Sequence, residues 1–182
     1  MAITVSDFPK GFRPAYSWGQ QDIKWYPYEM QQFIKKCTVK SATSVFIGAL
    51  VDTVETGDAS TDLTIITVSA DNSVVPLMYV LDTEYNRAIL ARDNDKDHLS
   101  GETKETTYFA ASSIVDCIYL MPGMIVSLCF SNSIAVKPGV KIQSAGGGKA
   151  DLYATVNARL GHLLGQFPNE ASANWGDVLI TF

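Results

Sequence analysis

At 182 residues and 47% hydrophobic composition, the chain can bury one good core and still leave residues for an arm or a small second lobe. Its formal charge of −5 sets up a mild negative field that opposes wrapping a polyphosphate backbone, so nucleic acid is not an expected partner. No apolar run reaches the ~18 residues a membrane helix needs, and Met1-Ala2-Ile3-Thr4-Val5-Ser6-Asp7 lacks both parts of a signal peptide, so neither a membrane span nor secretion by a leader is expected.

Residues 1–30 read as an extended N-terminal arm. Phe8, Phe12, Tyr16, Trp18, Trp25, Tyr26 and Tyr28 fall among Pro9, Pro14 and Pro27 with little apolar periodicity. The prolines hold the chain extended, and the rings offer large contact area at low entropic cost. Such an arm either docks on a neighbour through these aromatics or folds back across its own domain.

Residues 31–182 read as a single β domain. Cys37-Thr38-Val39-Lys40 and residues 44–51 are rich in branched side chains, and a turn-prone Glu55-Thr56-Gly57-Asp58-Ala59-Ser60 follows. Residues 62–68 and 74–81 are further strands, the latter carrying Pro76, which belongs at an edge or a strand start. Residues 83–92 have the pattern of a short helix with Tyr85, Ile89 and Ala88 inward, and residues 93–106 form a charged, solvated loop.

Strands resume at residues 107–110, 114–120 and 124–130. Between the last two, Pro122-Gly123 has type II turn composition, and Pro138-Gly139 separates short strands at residues 134–137 and 140–143. Residues 144–148 read as a flexible link, residues 159–166 as a glycine-interrupted strand or one helical turn, and Gly176-Asp177 as a turn before a terminal strand. Trp175 beside it caps the barrel end, with an exposed docking ring as the alternative. Short strands between Pro and Gly punctuation define an all-β fold, a small β-barrel or sandwich with little helix.

Asp93, Asp95 and Asp97 alternate as in the opening of a calcium loop, but the sixth position is His98 where glycine is needed and the twelfth is Lys104 where a bidentate glutamate is needed. They remain a weak metal candidate. Gly146-Gly147-Gly148-Lys149 resembles a phosphate loop, yet Ala150 stands where magnesium needs a hydroxyl, so a hinge between strands is the better account. His98 and His162 have no partner at zinc spacing. Cys37, Cys117 and Cys129, odd in number and set in β-prone runs, read as buried thiols of a reducing compartment. Glu29, Asp52, Asp82, Glu84, Asp116 and Asp177 are available as carboxylates, and nothing selects a pair. No enzyme activity, cofactor or catalytic residue is expected.

The stretch Met121-Pro122-Gly123-Met124-Ile125-Val126, then Val136-Lys137-Pro138, Ala145-Gly146-Gly147-Gly148 and Gly176-Asp177-Val178, resembles the capsid decoration, or cement, proteins of phage heads. The match covers about a third of the chain and consists mainly of turn residues; the arm and the charged loop are departures from the simplest family members. The resemblance implies a β-tulip-like barrel on the outer capsid, often a trimer. Its partners would be the major capsid protein and copies of itself, with assembly in the host cytoplasm. The alternatives are a tail-tube or head-completion protein, and a small ligand-binding β-barrel or enzyme.

Overall fold

The computed structural model describes residues 23–25, 34–40, 44–54, 63–69, 74–94, 107–131, 137–154, 157–168 and 174–182; for 23–25, 166–168 and 174 only the backbone is described. In chain order these residues form β1 (Ile23–Trp25), β2 (Ile34–Val39), β3 (Leu50–Thr53), β4 (Thr64–Val68), β5 (Met78–Val80) and α1 (Glu84–Asp93). There follow β6 (Ile114–Tyr119), β7 (Ile125–Phe130), β8 (Lys141–Gly146), β9 (Lys149–Leu152), β10 (Arg159–Pro168) and β11 (Asn174–Ile180). The fold is mostly β, as expected, and no helix among the described residues is long and apolar enough to cross a membrane.

The strands close into two five-stranded barrels. The first runs β2-β4-β3-β5-β6 and shuts where β2 meets β6 antiparallel, Ile34 opposite Ile118 through Thr38 opposite Ile114. Alternation along its strands sends Cys37, Val39, Val51, Ile66, Met78, Val80, Val115 and Cys117 into one core cluster. The second runs β7-β11-β10-β8-β9 and shuts through a parallel contact, Phe130 opposite Ala150. Its cluster holds Val126, Leu128, Phe130, Ile142, Leu160, Leu163, Val178 and Ile180. Gly176 belongs to this packing, since a Cβ there would lie 2.7 Å from Leu163 Cδ1 and 2.8 Å from Phe130 Cε2.

The two barrels are interlocked. Leu50, Tyr79, Leu81, Ile118 and Leu120 of the first half pack in the second barrel's cluster, while Cys129 and Trp175 of the second join the first barrel's. This explains why Met78-Tyr79-Val80-Leu81 is apolar without alternation: both faces of β5 are buried. The Tyr79 hydroxyl donates to the Ser127 carbonyl at 2.7 Å in a buried bond. Backbone bonds cross as well, Leu50 N–H to Gly148 O at 2.9 Å and Gly148 N–H to Ser69 O at 3.4 Å.

Several expectations need correction. Residues 144–148 are no flexible link: β8 continues to Gly146, and Gly147 and Gly148, at φ 60 and 76, make a two-residue hairpin turn into β9. Positive φ at both central positions is the type I′ geometry that matches strand twist. Residues 44–49 are not a strand, because Gly48 at φ 89 turns the chain before β3 starts at Leu50. Residues 107–110 are likewise irregular. The helix lies where expected, but its buried residues are Asn86, Leu90 and Ala91, with Tyr85 and Ala88 exposed and Ile89 half-buried. The strand expected at residues 134–137 and the loop after residue 94 fall largely outside the described residues.

Candidate functional site

Of the expected docking aromatics, Phe8, Phe12, Tyr16, Trp18, Tyr26 and Tyr28 lie outside the described residues. Trp25 ends β1, whose backbone pairs antiparallel with β7, Ile23 opposite Val126 and Trp25 opposite Ile125. β7 is covered by β11 along its whole length on one edge. The other edge is shared, with β1 at Ile125 and Val126 and β9 at Phe130. At this point the arm lies on its own second barrel and occupies part of the seam where that barrel closes.

The two Pro-Gly turns form as composition dictates. Met124 N–H donates to Met121 O across Pro122 and Gly123, with Gly123 at φ 93, and the Gly123 N–H ties the turn to Ile180 O at 2.9 Å. Pro138 and Gly139 repeat the arrangement, with Gly139 at φ 90, Val140 N–H on Lys137 O, and Gly139 N–H on Leu163 O. His162 Nδ1 lies 3.3 Å from Gly139 O, which makes it part of this turn. Pro122, Pro138 and Gly139 are exposed. Gly176 and Asp177 do not form a turn: they sit inside β11, opposite Leu128 and Ser127 of β7. Trp175 is 1% exposed and rests over Gly48 in the first barrel's core cluster, so it is not an exposed docking ring.

The weak metal candidate separates. Asp95 and Asp97 lie outside the described residues. The Asp93 carboxylate accepts from Arg92 Nε and Nη2, from Ala110 N–H and from Ser113 Oγ, pinning the end of α1 to the chain before β6. Burial alone would raise its pKa, but the hydrogen bonds from Ser113, Arg92 and Ala110 outweigh it and hold the group below the ordinary carboxylate value. Among the described residues no group of His, Cys, Asp and Glu is arranged to hold a metal ion.

A polar hub at the start of α1 escaped the sequence reading. Thr83 caps the helix by accepting from Asn86 N–H, and its hydroxyl also donates to Asp116 Oδ2 at 3.0 Å. The buried Asn86 amide donates to Leu81 O and Asp116 O and accepts from Asp116 N–H. Lys36, directly opposite Asp116 across β2 and β6, reaches its Oδ1 at 2.7 Å and lies 3.6 Å over the Tyr85 ring. Asp82, its side chain fully buried, is gripped by Arg87 through Nε at 2.6 Å and Nη2 at 2.7 Å. Thr-Glu ahead of a periodic run is the capping signal that marks this place.

These groups brace the helix, their donors and acceptors meeting one another. The described surface mixes charged side chains such as Lys35, Lys40, Lys137 and Lys141 with exposed apolar ones, among them Val74 at 56% exposure, Leu77 at 50%, Leu164 at 44% and Phe182 at 43%. No model of a known protein family matches the chain, and no curated protein or solved structure matches it either.

Proposed function

We propose that this chain is a virion structural protein, a capsid decoration protein that binds the outer surface of a major capsid lattice and stabilises the head. The observation that carries the proposal is the interlocking of two filled barrels, in which Trp175, Tyr79 and Gly148 cross from one to the other. A body braced in this way transmits load between neighbours without deforming, because packed interiors resist compression. The polar groups around α1 serve the same bracing, while apolar side chains and proline turns face outward. The resemblance in the turn residues 121–126, 136–138, 145–148 and 176–178 supplies the class of partner.

On this reading the protein needs no active site. Many identical contacts, each weak, hold together on an ordered shell because the lattice makes every further contact intramolecular. The partners are the major capsid protein and other copies of this chain, and the acidic body has no need to touch a packaged genome. Co-sedimentation tests the reading: the full chain is mixed with empty heads assembled from the major capsid protein of the virus that encodes it. Saturable pelleting at a fixed ratio to capsid subunits is expected. Protein that stays in the supernatant at every head concentration overturns the reading.

A further inference from the structure

Charge is divided unevenly along the chain. Residues 34–120 hold 13 of its 19 acidic side chains and 7 of its 14 basic ones, whereas residues 121–182 hold 3 acidic and 4 basic. The first barrel is built from the acidic stretch and the second from the slightly basic one.

The second barrel gathers its cations on one sheet face. Ile142 points into its core, so alternation along β8 sends Lys141 outward. Lys141 stands opposite His162 of β10, and Arg159 stands opposite Gln143, the next outward position of β8. Lys137 lies at the far end of the Pro138-Gly139 turn, its carbonyl accepting from Val140 N–H. Lys137, Lys141 and Arg159 are exposed, and none of the three makes an ion pair among the described residues. The Lys141 ammonium sits 5.9 Å over the Tyr153 ring, and Arg159 reaches the Thr181 carbonyl at 3.4 Å. Asp151, opposite Gln143 on β9, is the one carboxylate on this face among the described residues.

The acidic stretch offers a match. Residues 55–62, which join β3 to β4 and lie outside the described residues, carry Glu55, Asp58 and Asp62 and no cation. β3 starts at the contact of Leu50 N–H with Gly148 O and leads away from it, while Lys141 is at the end of β8 remote from Gly148.

We propose that the β8–β10 face of the second barrel binds residues 55–62 of a second copy, with Lys137, Lys141 and Arg159 meeting Glu55, Asp58 and Asp62. The two surfaces differ, so the contact repeats from copy to copy and closes a ring or extends a row. As the contact between copies on a capsid it rests on the proposed function; as a property of the free chain it is tested without heads, so its failure leaves capsid binding standing. Exposed ion pairs are individually weak and screened by salt. At about 0.1 M salt the Debye length is about 10 Å, which screens the net charge of −5 between molecular centres and leaves facing patches attracted; at about 1 M it is about 3 Å.

The test uses the purified full chain at neutral pH. Sedimentation velocity at about 0.1 M salt is expected to show association that grows with protein concentration, and at about 1 M monomer alone. Carbodiimide, which joins an ammonium to a carboxylate in direct contact, is applied to an equal mixture of unlabelled and isotope-labelled chains. Peptide mapping is expected to find Lys137 or Lys141 joined to Glu55, Asp58 or Asp62 in mixed-isotope pairs. Lys137→Glu with Lys141→Glu should be monomeric alone, as should Glu55→Lys with Asp58→Lys and Asp62→Lys. Their equimolar mixture should associate again, because each supplies the sign of charge that the other has lost. The wild-type crosslink stands by itself should a variant fail to fold. Monomer at every concentration in about 0.1 M salt, crosslinks confined to single-isotope pairs, or folded variants whose mixture stays monomeric would overturn the assignment.

Discussion

The joint between the barrels can be probed at one atom. Replacing Gly48 by alanine adds a Cβ that would lie 2.7 Å from Trp175 Cη2 and 2.8 Å from Cζ3. Carbon atoms in contact prefer about 3.5–4.0 Å, so the ring must recede by roughly 1 Å or the barrels must part. Overpacking of this kind costs about 1–3 kcal/mol. Gly48 also sits at φ 89, where a Cβ adds about 1–2 kcal/mol of backbone strain. Gly48→Ala should therefore destabilise by about 2–5 kcal/mol, a large part of a typical total of about 5–15. Trp175→Leu removes the indole, including Cη2 and Cζ3, and is itself costly, by about 3–5 kcal/mol if it behaves like other large truncations. In that background the clash is gone, and Gly48→Ala should cost the backbone part alone. Urea unfolding followed by far-UV circular dichroism on the wild type, both single variants and the double variant yields the coupling, expected to be about 1–3 kcal/mol. Additivity within about 0.5 kcal/mol would refute the reasoning and place the contact between the barrels elsewhere.

Four further outcomes follow from the same geometry. Gly147→Asn should change the unfolding midpoint by no more than about 0.5 kcal/mol equivalent, since Asn suits the first position of a type I′ turn and nothing lies within 4 Å of the added Cβ. Gly148→Ala should cost about 1–3 kcal/mol, because its Cβ would meet Ala49 Cβ at 3.0 Å and Leu50 O at 3.4 Å at φ 76; equal effects at the two sites would contradict the hairpin. Asn86→Leu takes partners from the Leu81 carbonyl and the Asp116 N–H and should lower stability by about 2–4 kcal/mol in chemical denaturation, whereas a neutral result would show that water replaces the amide. For Asp93, the folded pKa is depressed, so the carboxylate stabilises fully above the unfolded value of about 3.9. That contribution disappears as pH falls through the lower folded value. The stability gap between wild type and Asp93→Asn should stay constant from neutral pH to about pH 5 and shrink below about pH 4; a gap that widens on acidification would reverse the sign.

How far the sequence reveals this molecule depends on how local each feature is. Pro122-Gly123 and Pro138-Gly139 were legible because a type II turn needs only those two residues in that order. The glycine run at 146–148 was misread for the opposite reason: several glycines permit a hinge and a tight hairpin equally, and only the pairing of Gly146 with Lys149 decides. Branched residues before Gly48 look like a strand, but the chain turns there, with Gly48 at φ 89, before β3 begins. The inward face of α1 was displaced by one residue because its anchor is Asn86, a polar side chain that periodicity cannot recognise. Gly176-Asp177 has turn composition, yet Gly176 is glycine because Leu163 and Phe130 fill the space a side chain would take. The closure of two barrels rests on pairings such as Cys37 with Val115 and Phe130 with Ala150, which join distant parts of the chain and leave no local trace. Of the candidate site, Trp25 was named as a docking aromatic, and the structure places its backbone on β7. The hub around Asp116 went unseen, although Thr83 ahead of Glu84 offered a capping signal that could have pointed to it.

The most direct measurement of the functional proposal is the mechanical stability of heads with and without this protein. Empty heads assembled from the major capsid protein of the same virus are titrated with the full chain, and their bursting is followed by light scattering on heating and on osmotic shock. The account predicts a rise in bursting temperature that saturates with occupancy of the lattice. Heads that bind the protein at full occupancy and burst at an unchanged temperature would contradict it.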